Sequence, residues 1–209
     1  MSDEAPLDGN PADTHEAIMM ATFVALRKHG YPGISIQRIA DESDLTKSTF
    51  YHHFDGKDDI LLSFVEYMRD YFERGYQIES TGDPVGDLDA FVTVSLGEYP
   101  AAEGTPDADA RLSTYLELRA QAIQNPAFQA EFTELSAALV ENLTEIIETG
   151  VEQGVFAVDD PETTAEYLVT TIEGINLQQT TRTDDPRSML RKELETYIER
   201  TVLVDGVRF

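Results

Sequence analysis

Thr46, Lys47, Ser48 and Thr49, followed by Tyr51, His52 and His53, bring short hydroxyls, an amine, a phenol and two imidazoles into one short run, with Lys57 just beyond it. These side chains donate hydrogen bonds to phosphate oxygens and base edges, so their chemistry is that of nucleic-acid contact. Metal binding is the competing use of paired histidines. Adjacent positions on a helix diverge by about 100°, however, and no HExxH or matching carboxylate spacing accompanies them. Catalysis has no residue set to run it, because the chain lacks GxSxG, a phosphate-binding glycine loop, a zinc motif and any cysteine. The pairs Asp58-Asp59, Asp159-Asp160 and Asp184-Asp185 each fall where a helix should start, a place that favours negative charge without magnesium. No catalytic residue, cofactor or metal is expected.

Two short helices must position these donors. Ser35 is a good N-cap, and Ile36, Ile39 and Ala40 behind it share one helical face. Asp44 lies where the chain must turn, and aspartate tolerates a left-handed backbone there. Leu45 fills the corner. Thr46 is placed to cap a second helix in which Phe50 and Phe54, four apart, point inward and leave Lys47, Ser48, Tyr51 and the histidines outward. Two short helices joined by a tight turn, the second polar at its start, make a helix-turn-helix.

Gly30-Tyr31, Ser35, Ile39-Ala40, Thr46-Lys47-Ser48-Thr49, Tyr51-His52-His53-Phe54 and Lys57 together resemble the N-terminal domain of the TetR family of transcriptional regulators, over roughly residues 14 to 75. The chain departs from the family pattern at two places. The turn glycine is Asp44, and the small glycine of the second helix is Ser48, which leaves sequence preference open. The resemblance implies DNA contacts by Ser35, Thr46, Lys47, Ser48, Thr49, Tyr51, His52, His53 and Lys57, the last to a backbone phosphate. It also implies a double-stranded operator, a small-molecule effector, repression as the commoner action, and a homodimer.

The rest of the chain reads as helices, giving an all-α fold of about nine. Asp13 and Glu16 open the first, which should end at Gly30; Asp55 with Asp58 opens a long fourth helix reaching about Ile78. Asp83-Pro84, Asn125-Pro126, Asp160-Pro161 and Asp185-Pro186 each set a capping side chain before a proline, the N-cap and N1 arrangement. Another helix should start near Pro106-Asp107, and the helix from Pro126 should end at Gly150 or Gly154. The expected organisation is a mobile tail over 1–13, a helix-turn-helix domain over 14–58 and a helical ligand-binding and dimerisation domain over 59–209. Phe64, Tyr67, Met68, Phe91, Tyr115 and Phe128 are candidates to line an effector pocket, with core packing as their other use. Leu168, Ile172, Ile175, Leu194 and Tyr197, on the last two long helices, are candidates for a two-fold interface, with intrachain packing as the alternative.

Charge is the feature that fits DNA binding least. The 209 residues hold 15 Lys and Arg against 40 Asp and Glu, a net charge of −25, and no cysteine. Lysines are Lys28, Lys47, Lys57 and Lys192 alone. This balance resembles proteins of salt-accumulating halophiles, where at ~1 M salt the screening length is about 3 Å and self-repulsion fades. The same salt weakens attraction to phosphate, so such a binder must rely on hydrogen bonds, packing and shape. The lack of cysteine, of a basic-then-apolar leader and of a long apolar run points to a cytoplasmic protein without a membrane span. Two rivals remain from the residues alone: a TetR-like ligand- or protein-binding module that has lost DNA binding, and a helical enzyme.

Overall fold

The computed structural model describes residues 14–76, 81–98 and 108–209. The expected tail over 1–13, the Asp13 cap, the end of the fourth helix near Ile78 and the Pro106-Asp107 helix start lie outside the described residues. Nine α-helices follow one another among the described residues: α1 Thr14–Gly33, α2 Ile36–Ala40, α3 Lys47–His53, α4 Lys57–Tyr76, α5 Pro84–Ser95, α6 Ala108–Arg119, α7 Pro126–Glu152, α8 Pro161–Thr181 and α9 Arg187–Thr201. A 3-10 turn, Ala120–Ile123, follows α6. Extended pairing is limited, among the described residues, to an isolated bridge between Phe156 and Leu203. The fold is all-α, as the spacing of apolar residues and capping pairs requires.

The aspartate-proline and asparagine-proline signals act through identifiable bonds. Asp83 accepts the N–H groups of Val85 and Gly86, both at 3.2 Å. Asn125 accepts from Ala127, and Asp160 from Thr163, both at 3.0 Å. Each bond satisfies an amide that the first helical turn leaves without a carbonyl. The Asp185-Pro186 signal is displaced by one residue: Pro186, at φ −85 and ψ 0, is itself the N-cap, and Asp185 accepts the Arg187 N–H at 2.9 Å. The fourth helix also starts later than Asp55. It begins at Lys57, and the carboxylate reach runs backward, from Asp59 to the Asp55 N–H at 3.0 Å. In α1 the expected stop at Gly30 is a break (φ 62, ψ 169), after which a short helical stretch continues through Pro32 to Gly33. The end of α7 falls at Glu152, between the two glycines expected to stop it.

The chain divides into two compact units, Met1–Phe72 with Pro100–Leu135, and Glu73–Tyr99 with Ser136–Phe209. The first is organised on a core in which Phe50, Phe64, Phe128, Ile18, Met19, Ile39, Ile60 and Leu61 have no more than trace exposure. One hydrophobic cluster thus joins the two short helices to α1, α4, α6 and the first part of α7, and fixes α3 from behind.

The second unit packs α5, the rest of α7, α8 and α9 around Leu88, Phe91, Leu143, Ile147, Leu168 and Ile198. Asn176, inside it, donates to the Ser95 carbonyl at 2.9 Å. Arg191 of α9 donates to Asp89, Thr93 and Glu98 on and just after α5 and to Glu195 on its own helix. The C-terminal strand of chain is clasped to the α7–α8 connection by Ala157 N–H to the Val202 carbonyl at 2.7 Å and Val204 N–H to the Val155 carbonyl at 3.0 Å. Gly150 is obligatory beneath this clasp, because a Cβ there would stand 2.1 Å from the Phe156 ring.

Candidate DNA interface

Ser35 caps α2 as its type demands, its Oγ accepting the Arg38 N–H at 3.3 Å. The turn that follows differs from expectation. No described residue other than glycine has a positive φ, so Asp44 does not take the left-handed conformation. Ser43 holds the turn instead: its hydroxyl donates to the Ala40 carbonyl at 3.3 Å and accepts the Leu45 N–H at 3.2 Å. A hydroxyl that closes the turn from within removes the need for a glycine or a strained aspartate. Leu45 packs on the core cluster from the corner, as expected.

Thr46 stands at the N-cap of α3 but makes no side-chain bond to a backbone amide. Its hydroxyl lies 2.8 Å from the Ser48 hydroxyl and 3.0 Å from that of Thr49. The three form a cluster whose hydrogens can rotate; the two mutual bonds use two of them, which leaves one donor at a time to point outward. Behind them Phe50 is fully buried and Phe54 nearly so, which sets the rotation of α3 about its axis. Lys47, Ser48, Tyr51, His52 and His53 consequently face solvent, with Tyr51 56% exposed. Thr49 is half-buried.

An exposed tyrosine is a hydrogen-bonding tip on an apolar ring, and here the ring has company. The Lys47 ammonium lies 5.7 Å from the Tyr51 ring centre, close enough for a cation–π contact. The His52 and His53 rings meet edge to face at 5.4 Å, and His53 continues to Phe54 and Phe54 to His15 at 6.3 and 6.4 Å. His15 in turn shares a 3.1 Å hydrogen bond with Ser63 of α4. Among the described residues no three His, Asp, Glu or Cys side chains are grouped to hold a metal ion.

Lys57 is less free than a solvated lysine. Its ammonium sits 5.1 Å over the ring of Tyr31. Burial, and after it the charge of Asp58, pushes the Tyr31 phenol above its usual range. Nothing in the spacing of the sequence singled out this pair or Ser43.

The remaining candidates separate between the two units. Phe64, Tyr67, Met68, Tyr115 and Phe128 are buried in the first, and Phe91 in the second. The Tyr115 and Phe132 rings meet edge to face at 5.5 Å, and the Arg119 guanidinium lies 5.7 Å from each. Leu168, Ile172, Ile175 and Leu194 are all buried within the second unit, where α8 and α9 pack on their own chain, and Tyr197 is half-buried beside Tyr167. The apolar side chains that these helices expose are Tyr167 (50%), Leu177 (47%) and Met189 (61%).

Two segments of the chain match known families. Residues 18–64 match the family of bacterial regulatory proteins named tetR, and residues 101–203 match the C-terminal domain of BetI-type transcriptional repressors. The HTH-type transcriptional repressor KstR2 of Rhodococcus jostii is 30% identical over 154 residues, spanning 71% of this chain and 70% of its own. A TetR transcription regulator from Haloarcula marismortui has a similar structure, with TM-score 0.79 and 29% identity over 90% of this chain and 97% of its own. A choline complex of a protein from Saccharomonospora viridis shares the fold, with TM-score 0.77 and 23% identity over 91% of this chain and 97% of its own. No helix among the described residues is long and apolar enough to cross a membrane. The chain belongs to the TetR family: it is a DNA-binding transcriptional regulator built on a helix-turn-helix.

Proposed function

We propose that the protein is a ligand-responsive repressor that binds its operator as a homodimer. The observation that carries the DNA-reading part is the rotation of α3, with Phe50 and Phe54 inward and Lys47, Ser48, Tyr51 and the two histidines outward. Residues 14–58 supply the reading head. Ser48 and Lys47 reach base edges, while Thr46, Thr49, Tyr51, His52, His53 and Lys57 hold phosphates; Ser35 contributes from the start of α2. Two heads fit successive major grooves at about 34 to 36 Å, and an effector that favours another spacing releases DNA by no more than its differential affinity for the two states.

Residues 59–209 supply effector binding and dimerisation. The exposed Tyr167, Leu177 and Met189 on α8 and α9 are the side chains available to a second copy, since Leu168, Ile172, Ile175 and Leu194 are already covered. For the effector we favour a small organic cation. The choline bound by a structural relative supports that class. The acidic balance, and a similar structure from Haloarcula marismortui, support function in concentrated salt inside the cell.

Selection from a random duplex pool, followed by fluorescence anisotropy in about 0.1 to 3 M KCl, tests the reading. A recovered half-site repeated one helical turn apart, released by choline or a related quaternary amine, is the expected result. Failure to enrich any sequence at any salt would instead favour a TetR-like binding module without DNA activity.

A further inference from the structure

Helix α6 lies in the part of the chain matched by the C-terminal family domain, yet it packs on α1 in the first unit. Its Glu117 is exposed, and its carboxylate crosses to the break in α1, where Oε2 accepts the Tyr31 N–H at 3.0 Å. Gly30 makes that approach possible. Its φ of 62 belongs to glycine, and an added Cβ would stand 3.3 Å from Glu117 Oε1. Tyr31 therefore has two handles. Its backbone is held by α6, and its ring carries the Lys57 ammonium at the first residue of α4.

We propose that Glu117 is a positioning residue for DNA binding: through Tyr31 it fixes where Lys57 is presented, so that movement of α6 is felt at a phosphate contact. The proposal rests on the reading that Lys57 contacts DNA. It gives α6 a physical line to the reading head in three links, carboxylate to amide, ring to ammonium, ammonium to phosphate. An exposed carboxylate in an already acidic chain would otherwise only repel DNA, so its removal has an effect of definite sign under each account. General electrostatics makes the Glu117→Ala protein bind tighter; a positioning role makes it bind more weakly.

The test is a double-mutant cycle on the full chain, reading operator anisotropy as a function of salt together with thermal unfolding. Glu117→Ala should weaken operator binding about three- to tenfold, the size of one ordinary hydrogen bond lost near the surface. It should also lower the slope of log affinity against log salt by about 0.9, one phosphate's share. Glu117→Gln, which keeps an acceptor oxygen, should restore most of the affinity. With Lys57→Ala already present, Glu117→Ala should cost nothing further. Tyr31→Phe should behave as wild type and Tyr31→Leu like Lys57→Ala, which guards against a fold effect in any single variant. Additive losses in the cycle, an unchanged slope or tighter binding by Glu117→Ala, with Lys57→Ala itself weakened, would overturn the positioning role and leave the docking intact. Unaltered binding by Lys57→Ala would overturn both that phosphate contact and the role built on it.

Discussion

Residues 14–57 and residues 58–209 follow opposite charge rules. The first stretch holds five basic and five acidic side chains and all four histidines, whereas the second holds ten basic and thirty-one acidic. The reading segment is thus electrically balanced and keeps its exposed polar face clear of carboxylates on α3 itself. In the second stretch Arg69 pairs with Glu131, Arg182 with Asp184, and Arg191 with Asp89, Glu98 and Glu195 together. The lesson is that a net charge of −25 does not describe the surface offered to DNA. It describes the body that carries that surface.

The reading head is most vulnerable in its core. Phe50 is fully buried beneath α3, and truncation of a buried phenylalanine typically costs about 3–5 kcal/mol. Phe50→Ala should unfold the reading head and abolish operator binding while circular dichroism retains the helices of the second unit. Loss of all helicity together would show that the two stretches are not separable in stability.

Within the second unit, Gly150→Ala drives a methyl into the Phe156 ring and should destabilise by about 1–3 kcal/mol, with operator affinity per folded molecule unchanged. Arg191→Met leaves Asp89, Glu98 and Glu195 facing one another and should cost about 1–3 kcal/mol at low salt. Much of that loss should be recovered in ~1 M KCl, where the screening length is about 3 Å. Chemical denaturation at two salt concentrations checks both. An Arg191→Met deficit equal at both would contradict the electrostatic account of the body.

The smallest effect concerns acid. Bonds from the Thr163 N–H and then its hydroxyl hold the Asp160 carboxylate below its usual range. A lowered folded value contributes stability above the unfolded pKa of about 3.9, and this is lost as pH falls through the folded value. Asp160→Asn keeps an acceptor without titrating, so its melting temperature should converge on that of wild type only at the acid end. A constant gap across pH would assign the cap to hydrogen bonding without a charge component.

How much of this was legible in the sequence depended on whether the signal was local. Asp83-Pro84, Asn125-Pro126 and Asp160-Pro161 are complete within four residues, and the chain folds there as read. The inward spacing of Phe50 and Phe54 was equally local and fixed the outward face of α3. Asp44 misled because the neighbouring Ser43 hydroxyl supplies the turn by another route, and Thr46 because nearby hydroxyls compete for its oxygen. Pro186 slipped by one residue since its ψ near zero leaves the helix to start at Arg187. Leu168, Ile172, Ile175 and Leu194 show a different limit: periodicity says that a face is apolar and not which chain covers it. Tyr31 under Lys57 and Glu117 across from Gly30 join residues far apart in sequence, and no spacing rule brings them together.

The proposed reading of DNA by the outward face of α3 depends most on Lys47 and Tyr51. Operator anisotropy of the Lys47→Ala, Tyr51→Phe double variant tests it most directly, with unfolding measured on the same preparation. Because the ammonium and the ring are in contact, the pair is best changed together. The account predicts wild-type stability and at least about tenfold weaker binding, roughly 1 kcal/mol from the lost tyrosine bond plus the lysine contact. Wild-type affinity in that variant would contradict it.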